Sequence, residues 1–302
     1  MNRWIRRAAI GVAVLLGLAA VAAVVGLQLA DRKAQRRVDV PAYRLVLKED
    51  ATAIERGAYL YASRGCADCH GDNAGGRVFI DDPKSGLHVR GPNLSAGAGG
   101  VVAGYQPADW ERAIRHGVAP GGRPLLIMPS EDYNRLTDAD LAALVVYLRQ
   151  VPPVAGEPAE VRLPLPLRLL YAAGAIQDAA EKIDHRLAPS VPVPESVSVP
   201  HGAYVANLCI GCHGPGLSGG RVPGGPPHWP PAANLTPGEG SAMPRYANAE
   251  AFVAMMRSGK RPDGSAVDAS MPFAAFARMN DTDLAALYTF LQSVAPRPAG
   301  GR

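Results

Sequence analysis

Large aromatic side chains are scarce in this 302-residue chain: aromatics make up 6%, with only 5 Phe and 3 Trp. Yet 48% of the residues are hydrophobic, so a core is available without the rings that usually fill one. Small helical domains wrapped around a bulky apolar group would resolve that shortage. Sheet signals are also missing, whereas 33 Gly and 28 Pro point to long turns and linkers. A basic surface is absent from most of the chain. Lys and Arg outnumber Asp and Glu by 9 to 2 between Met1 and Lys48, but are outnumbered 10 to 13 over Glu49–Pro153 and 6 to 7 over Glu195–Pro296. The globular parts are therefore near neutral, which argues against a nucleic-acid partner. The length fits two or three domains.

One long apolar run is present. Ala8–Ala30 is 23 residues without a charge, preceded by Arg3, Arg6 and Arg7. As a helix it measures roughly 35 Å, enough to cross the hydrocarbon core of a bilayer. A cleaved leader has a shorter apolar stretch, so the run reads as a retained anchor, although Ala20-Val21-Ala22 has the composition of a cleavage site. Arg32, Lys33, Arg36 and Arg37 follow it, so flanking charge alone does not orient the chain.

Only four cysteines occur, and all lie in two motifs: Cys66-Ala67-Asp68-Cys69-His70 and Cys209-Ile210-Gly211-Cys212-His213. C-x-x-C-H is the attachment signature of haem c. Thiols at i and i+3 share one face of a helical turn and reach both vinyl groups on a porphyrin edge, and the adjacent His becomes the proximal iron ligand. A single zinc site is disfavoured because 140 positions separate Cys69 from Cys209. Redox dithiols are disfavoured because no βαβ pattern surrounds either pair.

The chain also repeats itself. Gly57-Ala58-Tyr59 recurs as Gly202-Ala203-Tyr204, Gly75-Gly76-Arg77 as Gly219-Gly220-Arg221, and Asn93-Leu94-Ser95 as Asn234-Leu235-Thr236. Ile114-Arg115-His116-Gly117 recurs as Met256-Arg257-Ser258-Gly259, and the seven residues from Asp138 to Leu144 as Asp281 to Leu287. Leu141, Leu144, Val145 and Leu148 keep helical spacing, as do Leu284, Leu287, Tyr288 and Leu291, with Thr137 and Asn280 as the expected N-caps.

The second axial ligand decides the function class, because an iron with both faces filled mainly passes electrons and one with an open face binds or activates small molecules. Met128 lies 58 positions after His70, Met271 lies 58 positions after His213, and each is followed by Pro. Both are expected iron ligands. Met243, Met255, Met256 and Met279 are expected in the core. His88, His116, His185, His201 and His228 have no matched partners in the other repeat and are expected on the surface or in loops. His88 is the best alternative ligand for the first haem.

These motifs resemble tandem class I cytochrome c domains, with the likeness covering about Glu55–Val151 and Pro200–Val294. The resemblance implies that an N-terminal helix crosses a C-terminal helix at a Gly-against-aromatic contact, here Gly57 with Tyr147 and Gly202 with Phe290. It also implies that the Pro92 carbonyl accepts Nδ1–H of His70, with Ala233 standing where that Pro would be in the second repeat. As a whole the chain resembles the anchored cytochrome subunits of bacterial periplasmic dehydrogenases, such as alcohol or gluconate dehydrogenases, which commonly carry three haem domains where this chain has two.

The expected architecture is all-α: an N-terminal transmembrane segment and basic stretch (1–48), two cytochrome c domains (49–153 and 200–296), a Pro-rich linker (154–199) and a tail (297–302). The linker's middle, Leu167 to Leu187, is expected to form a helix that serves as a strut between the domains, or alternatively an interfacial or partner-docking helix. The expected function is electron transfer by two covalently bound haem c groups. Cys66, Cys69, Cys209 and Cys212 attach them, His70, Met128, His213 and Met271 ligate iron, and no residue is catalytic. Expected partners are a dehydrogenase subunit and a quinol or oxidase complex. The expected location is the inner membrane, single-pass, with the haem domains in the periplasm. The rival expectation is a dihaem enzyme, a peroxidase or sulfur-compound oxidising cytochrome, with one open iron.

Overall fold

A computed structural model describes residues 3–226 and 228–302. The apolar run forms the middle of one continuous helix, α1 (Arg3–Ala34), most of whose Leu and Val side chains stand exposed. By length and composition it is able to cross a membrane.

The first domain begins with α2 (Ala51–Ser63), capped by the Asp50 side chain accepting from Ala53 N, and α3 (Cys66–His70), the first C-x-x-C-H turn. It continues through α4 (Pro107–His116) and the short α5 (Ser130–Tyr133) to α6 (Asp138–Gln150). As the sequence predicts, the Thr137 hydroxyl caps α6 by accepting from Asp140 N, and Pro152 and Pro153 follow its end. The second domain repeats this plan. Helix α9 (Val199–Val205) runs through a 3-10 turn (Ala206–Cys209) into α10 (Ile210–His213), followed by α11 (Ala249–Ser258), α12 (Phe273–Phe276) and α13 (Asp281–Ser293). Asn280 caps α13 as expected.

In each domain the first and last helices cross at a glycine. A Cβ on Gly57 would lie 2.1 Å from the Ala143 carbonyl oxygen and 2.6 Å from Tyr147 Cβ. A Cβ on Gly202 would lie 2.0 Å from the Ala286 oxygen and 2.6 Å from Phe290 Cβ. The obstacle is backbone and cannot swing aside, so Gly57→Ala is expected to cost about 2 kcal/mol, read as a lowered midpoint in chemical denaturation.

Two separate cores form. One joins Leu60, Tyr61, Trp110, Leu141 and Leu144, and the other Val205, Phe252, Leu284, Leu287 and Leu291. Met243, Met255, Met256 and Met279 are buried in or beside the second, as expected.

The all-α expectation needs one correction. A small antiparallel sheet, β1 (Arg77–Asp82), β2 (Leu87–Gly91) and β3 (Glu160–Arg162), is added to the mostly helical fold. The first two strands form a hairpin after the first C-x-x-C-H turn, closed through Gly86 at φ 78°, a conformation that glycine adopts without strain. The third strand comes from the linker.

The linker's helical middle does not lie between the domains, which pack directly on one another, although Glu195 near its end meets Arg56 of the first and Asn280 of the second. Its helix is shorter than expected and divided: α7 (Leu165–Ala172) lies against α1, and α8 (Ala179–Lys182) packs on α5. Gly174 and the buried Asp178, which caps α8, separate the two. The tail at 297–302 folds back onto the second domain: the Arg297 carbonyl accepts from Asn234 Nδ2 at 2.7 Å, as the Val154 carbonyl accepts from Asn93 Nδ2 at 2.9 Å in the first.

Candidate functional site

Each C-x-x-C-H turn ends at a glycine with φ near 78°, Gly71 and Gly214, which breaks the helix and lets the chain leave beneath the histidine. His70 Nδ1 lies 3.0 Å from the Pro92 carbonyl oxygen, and His213 Nδ1 lies 2.8 Å from the Ala233 carbonyl oxygen. A carbonyl only accepts, so Nδ1 carries the proton in both rings and Nε2 presents its lone pair. Burial pushes both imidazoles toward the neutral form, opposed in part by those carbonyls, and a neutral ring is the form that ligates a metal. The substitution of Ala233 for proline leaves this contact intact.

The four thiols are unpaired and half-buried. Burial pushes Cys66 and Cys209 up to about 12 and Cys69 to about 11, and it raises Cys212 as well. Such thiols are protonated at neutral pH and make poor redox nucleophiles, which disfavours the dithiol reading. Among the described residues, no three His, Cys, Asp or Glu side chains are placed together to hold a metal ion, so the two cysteine pairs do not share a zinc site.

The Met-Pro pairs repeat in geometry as they do in sequence. Pro129 has φ −81° and ψ 61°, Pro272 has φ −78° and ψ 67°, and each opens a four-residue helix, α5 or α12. Met128 packs against the first core and Met271 against the second. The donor set on each side, two thiols, an imidazole with fixed tautomer and a thioether against an apolar core, fits a haem c.

The remaining histidines separate into pairs of their own. His88 lies on β2 with Nδ1 3.1 Å from Asp81 and Nε2 3.6 Å from Glu160, which gives it carboxylate neighbours. His116 and His201 are buried, contrary to expectation. His116 Nδ1 meets His185 Nδ1 at 3.0 Å, and His201 Nε2 meets Asp283 at 2.6 Å. His201 stands where the first repeat has Arg56, which pairs with Asp140 at 2.8 Å, so position and role recur although the residue type does not.

The domains exchange identical contacts. Tyr59 OH donates to Asp283 Oδ2 at 2.5 Å and accepts from Asn280 N at 3.1 Å. Tyr204 OH donates to Asp140 Oδ2 at 2.6 Å and accepts from Thr137 N at 3.3 Å. Each tyrosine from one repeat thus seals the N-terminus of the other repeat's last helix. Arg64, beside the first attachment turn, is buried with its guanidinium 2.7 Å from Asp283. The short helices are exchanged in the same sense, α12 packing on α2 and α3, and α5 on α10. Gly211 N donates to Asp132 Oδ1 at 2.9 Å, and a Cβ there would meet both carboxylate oxygens at 2.7 Å. Burial, with Glu131 beside it, pushes the Asp132 carboxyl up to about 7. Sequence reasoning did not single out Asp132 or Arg64. Tyr59, Tyr204, Asp140 and Asp283 were visible as repeated residues but not as a crossed pair.

Fold and attachment motifs define two cytochrome c domains. Residues 52–148 match the family described as "Cytochrome C oxidase, cbb3-type, subunit III", and residues 201–295 the family described as "Cytochrome c". The chain is homologous to cytochrome c subunits of bacterial dehydrogenases. It is 25% identical over 284 residues to the fructose dehydrogenase cytochrome subunit of Gluconobacter japonicus, covering 83% of this chain and 54% of that protein. It is 38% identical over 112 residues to the cytochrome c subunit of alcohol dehydrogenase (quinone) from Gluconacetobacter polyoxogenes, covering 35% of this chain and 24% of that one. It is 31% identical over 127 residues to the gluconate 2-dehydrogenase cytochrome c subunit of Pantoea cypripedii, covering 39% and 28%. The chain therefore spans about half the length of the first of these relatives and less than a third of the other two.

Proposed function

We propose that this chain is a membrane-anchored dihaem cytochrome c that transfers electrons between a dehydrogenase and a respiratory-chain acceptor. In this reading α1 holds it in the inner membrane with both haem domains in the periplasm. Cys66 and Cys69, and Cys209 and Cys212, bind the haems covalently. His70 with Met128, and His213 with Met271, ligate the irons. Bound haem iron supplies one-electron chemistry by cycling between ferric and ferrous states. The protein's own part is orientation and exclusion of water. Pro92 and Ala233 hold each imidazole through Nδ1–H, the Met-Pro turns hold each thioether, and no side chain serves as nucleophile or general base.

The observation that carries this reading is the matched geometry of the two sites: the same His tautomer, the same Met-Pro turn and an apolar core behind each. A dihaem enzyme with one open iron calls for two unlike sites, and this repetition does not favour it. The test is stoichiometry. A pyridine haemochrome assay on the purified chain is expected to find two haems, both retained through denaturing electrophoresis. One haem per chain, or haem lost on denaturation, would refute the paired-site reading.

A further inference from the structure

We infer that α7 is a second membrane contact, an interfacial helix lying at the headgroup–acyl boundary beside the anchor on the haem-domain side. The inference rests on the reading of α1 as a membrane span. The register between the two helices is fixed by named contacts. Leu169 sits over Gly26, where a Cβ would come within 2.4 Å of Leu169 Cδ2, the movable end of that side chain. One turn further along, Arg168 pairs with Asp31 at 2.7 Å. Lys33 Nζ donates to the Tyr171 carbonyl at 2.8 Å and lies 4.4 Å from the centre of the Tyr171 ring.

That register sets a depth. Gly26 precedes Ala30, the last residue of the apolar run, by four residues or about 6 Å of helix rise. The run exceeds the roughly 30 Å of a hydrocarbon core by only about 5 Å. Leu169 is thereby held near the edge of the hydrocarbon, with Asp31, Arg32 and Lys33 just above it at headgroup level. The apolar side chains that α7 leaves exposed on either side of Leu169 match that position. Leu165 and Leu170 are 48% and 44% exposed, and from Leu163 to Gln177 the only charge is Arg168, which turns toward Asp31. Covering these two leucines would add the gain of apolar burial, and lipid tails are the occupant continuous with the face of α1 on which the helix lies. The far end of the segment is tied down as well: Asp178 takes both Arg36 nitrogens, at 2.6 and 2.8 Å, and the Tyr171 hydroxyl at 2.7 Å.

The test uses the full-length, haem-loaded protein in proteoliposomes, with a nitroxide placed on one introduced cysteine at a time and collisions with oxygen and with a water-soluble nickel chelate compared in the ferrous state. Leu16→Cys reports the anchor, Val191→Cys reports bulk solvent, and Leu165→Cys and Leu170→Cys report α7. All four side chains are exposed, and each variant's haem spectrum checks folding. The oxygen-to-nickel ratio at Leu165→Cys and Leu170→Cys is expected to lie well above that at Val191→Cys and below that at Leu16→Cys. A solvent-like ratio at both α7 positions with a lipid-like ratio at Leu16→Cys would overturn the interfacial helix and leave the anchor standing. A solvent-like ratio at Leu16→Cys, or loss of the label with a cleaved segment, would overturn the anchor and this inference with it.

Discussion

Met271→Ala is expected to lower the potential of the second haem on the order of a tenth of a volt or more, within the roughly 0.8 V that axial ligands span. Thioether sulfur stabilises ferrous iron, and its loss removes that preference. The same variant is expected to lose one haem's share of the weak near-infrared charge-transfer absorption of His/Met ligation and to bind carbon monoxide at one iron when reduced. Met128→Ala is expected to do the same to the first haem. Each change remains local, because Met128 and Met271 pack against different cores. Redox titration of each variant separates the two waves. Stoichiometric carbon monoxide binding by the unmodified protein would show one iron to be open, and the dihaem-enzyme reading would then replace the carrier.

Asp283→Ala has the largest expected effect on stability. Asp283 is fully buried and meets Arg64, Tyr59 and His201 at 2.5 to 2.7 Å. Its removal strands the buried Arg64 guanidinium, a loss of about 3–5 kcal/mol. Thermal unfolding is expected to become biphasic, because the contact between domains fails before either core does. A companion Arg64→Met/Asp283→Leu variant is expected to recover part of the loss, since it leaves no charge unpaired. Burial pushes the Asp283 carboxyl upward, but Arg64 and the hydrogen bonds from Tyr59 and His201 outweigh it, and the net direction is down. Asp140 follows the same pattern, with Arg56 and Tyr204 as its partners. A lowered carboxyl contributes its full stability above the unfolded value, about 3.9, and loses it as pH falls through the folded value. Domain separation is therefore expected below about pH 4, and a urea titration at stepped pH checks it. A stability independent of pH from 6 to 3 would contradict the role assigned to this pair.

The attachment turns and the caps at Thr137 and Asn280 were legible in the sequence, because each is set by local spacing or by a motif with one chemical purpose; the glycine crossings came with the resemblance to cytochrome c domains, and the buried methionines with the usual place of that side chain in a core. The hairpin escaped notice because its strands are short and the residues from Arg77 to Gly91 alternate poorly, with Asp81 and Asp82 ending one strand. The burial of His201 was hidden because its partner, Asp283, lies 82 residues away, and a repeat alignment that asks for identical residues passes over a histidine standing for Arg56. The linker's place against α1 rests on pairs far apart in the chain, Arg168 with Asp31 and Arg36 with Asp178, which no local pattern shows. Whether the Tyr and Asp of each repeat met within their own domain or across to the other depends on how two whole domains pack, which no local pattern reports.

The crossed tyrosines have a consequence for assembly. A surface that binds its own copy through a two-fold exchange is satisfied by two copies and has nothing left to offer a third. In this chain both copies of the Gly-Ala-Tyr helix and both copies of the last helix, with its first-turn Asp, are consumed within one polypeptide, Tyr59 on Asp283 and Tyr204 on Asp140. The face is closed on itself. Chains cannot add head-to-tail through it into a filament, and two chains cannot trade halves without first opening a contact that each already makes internally.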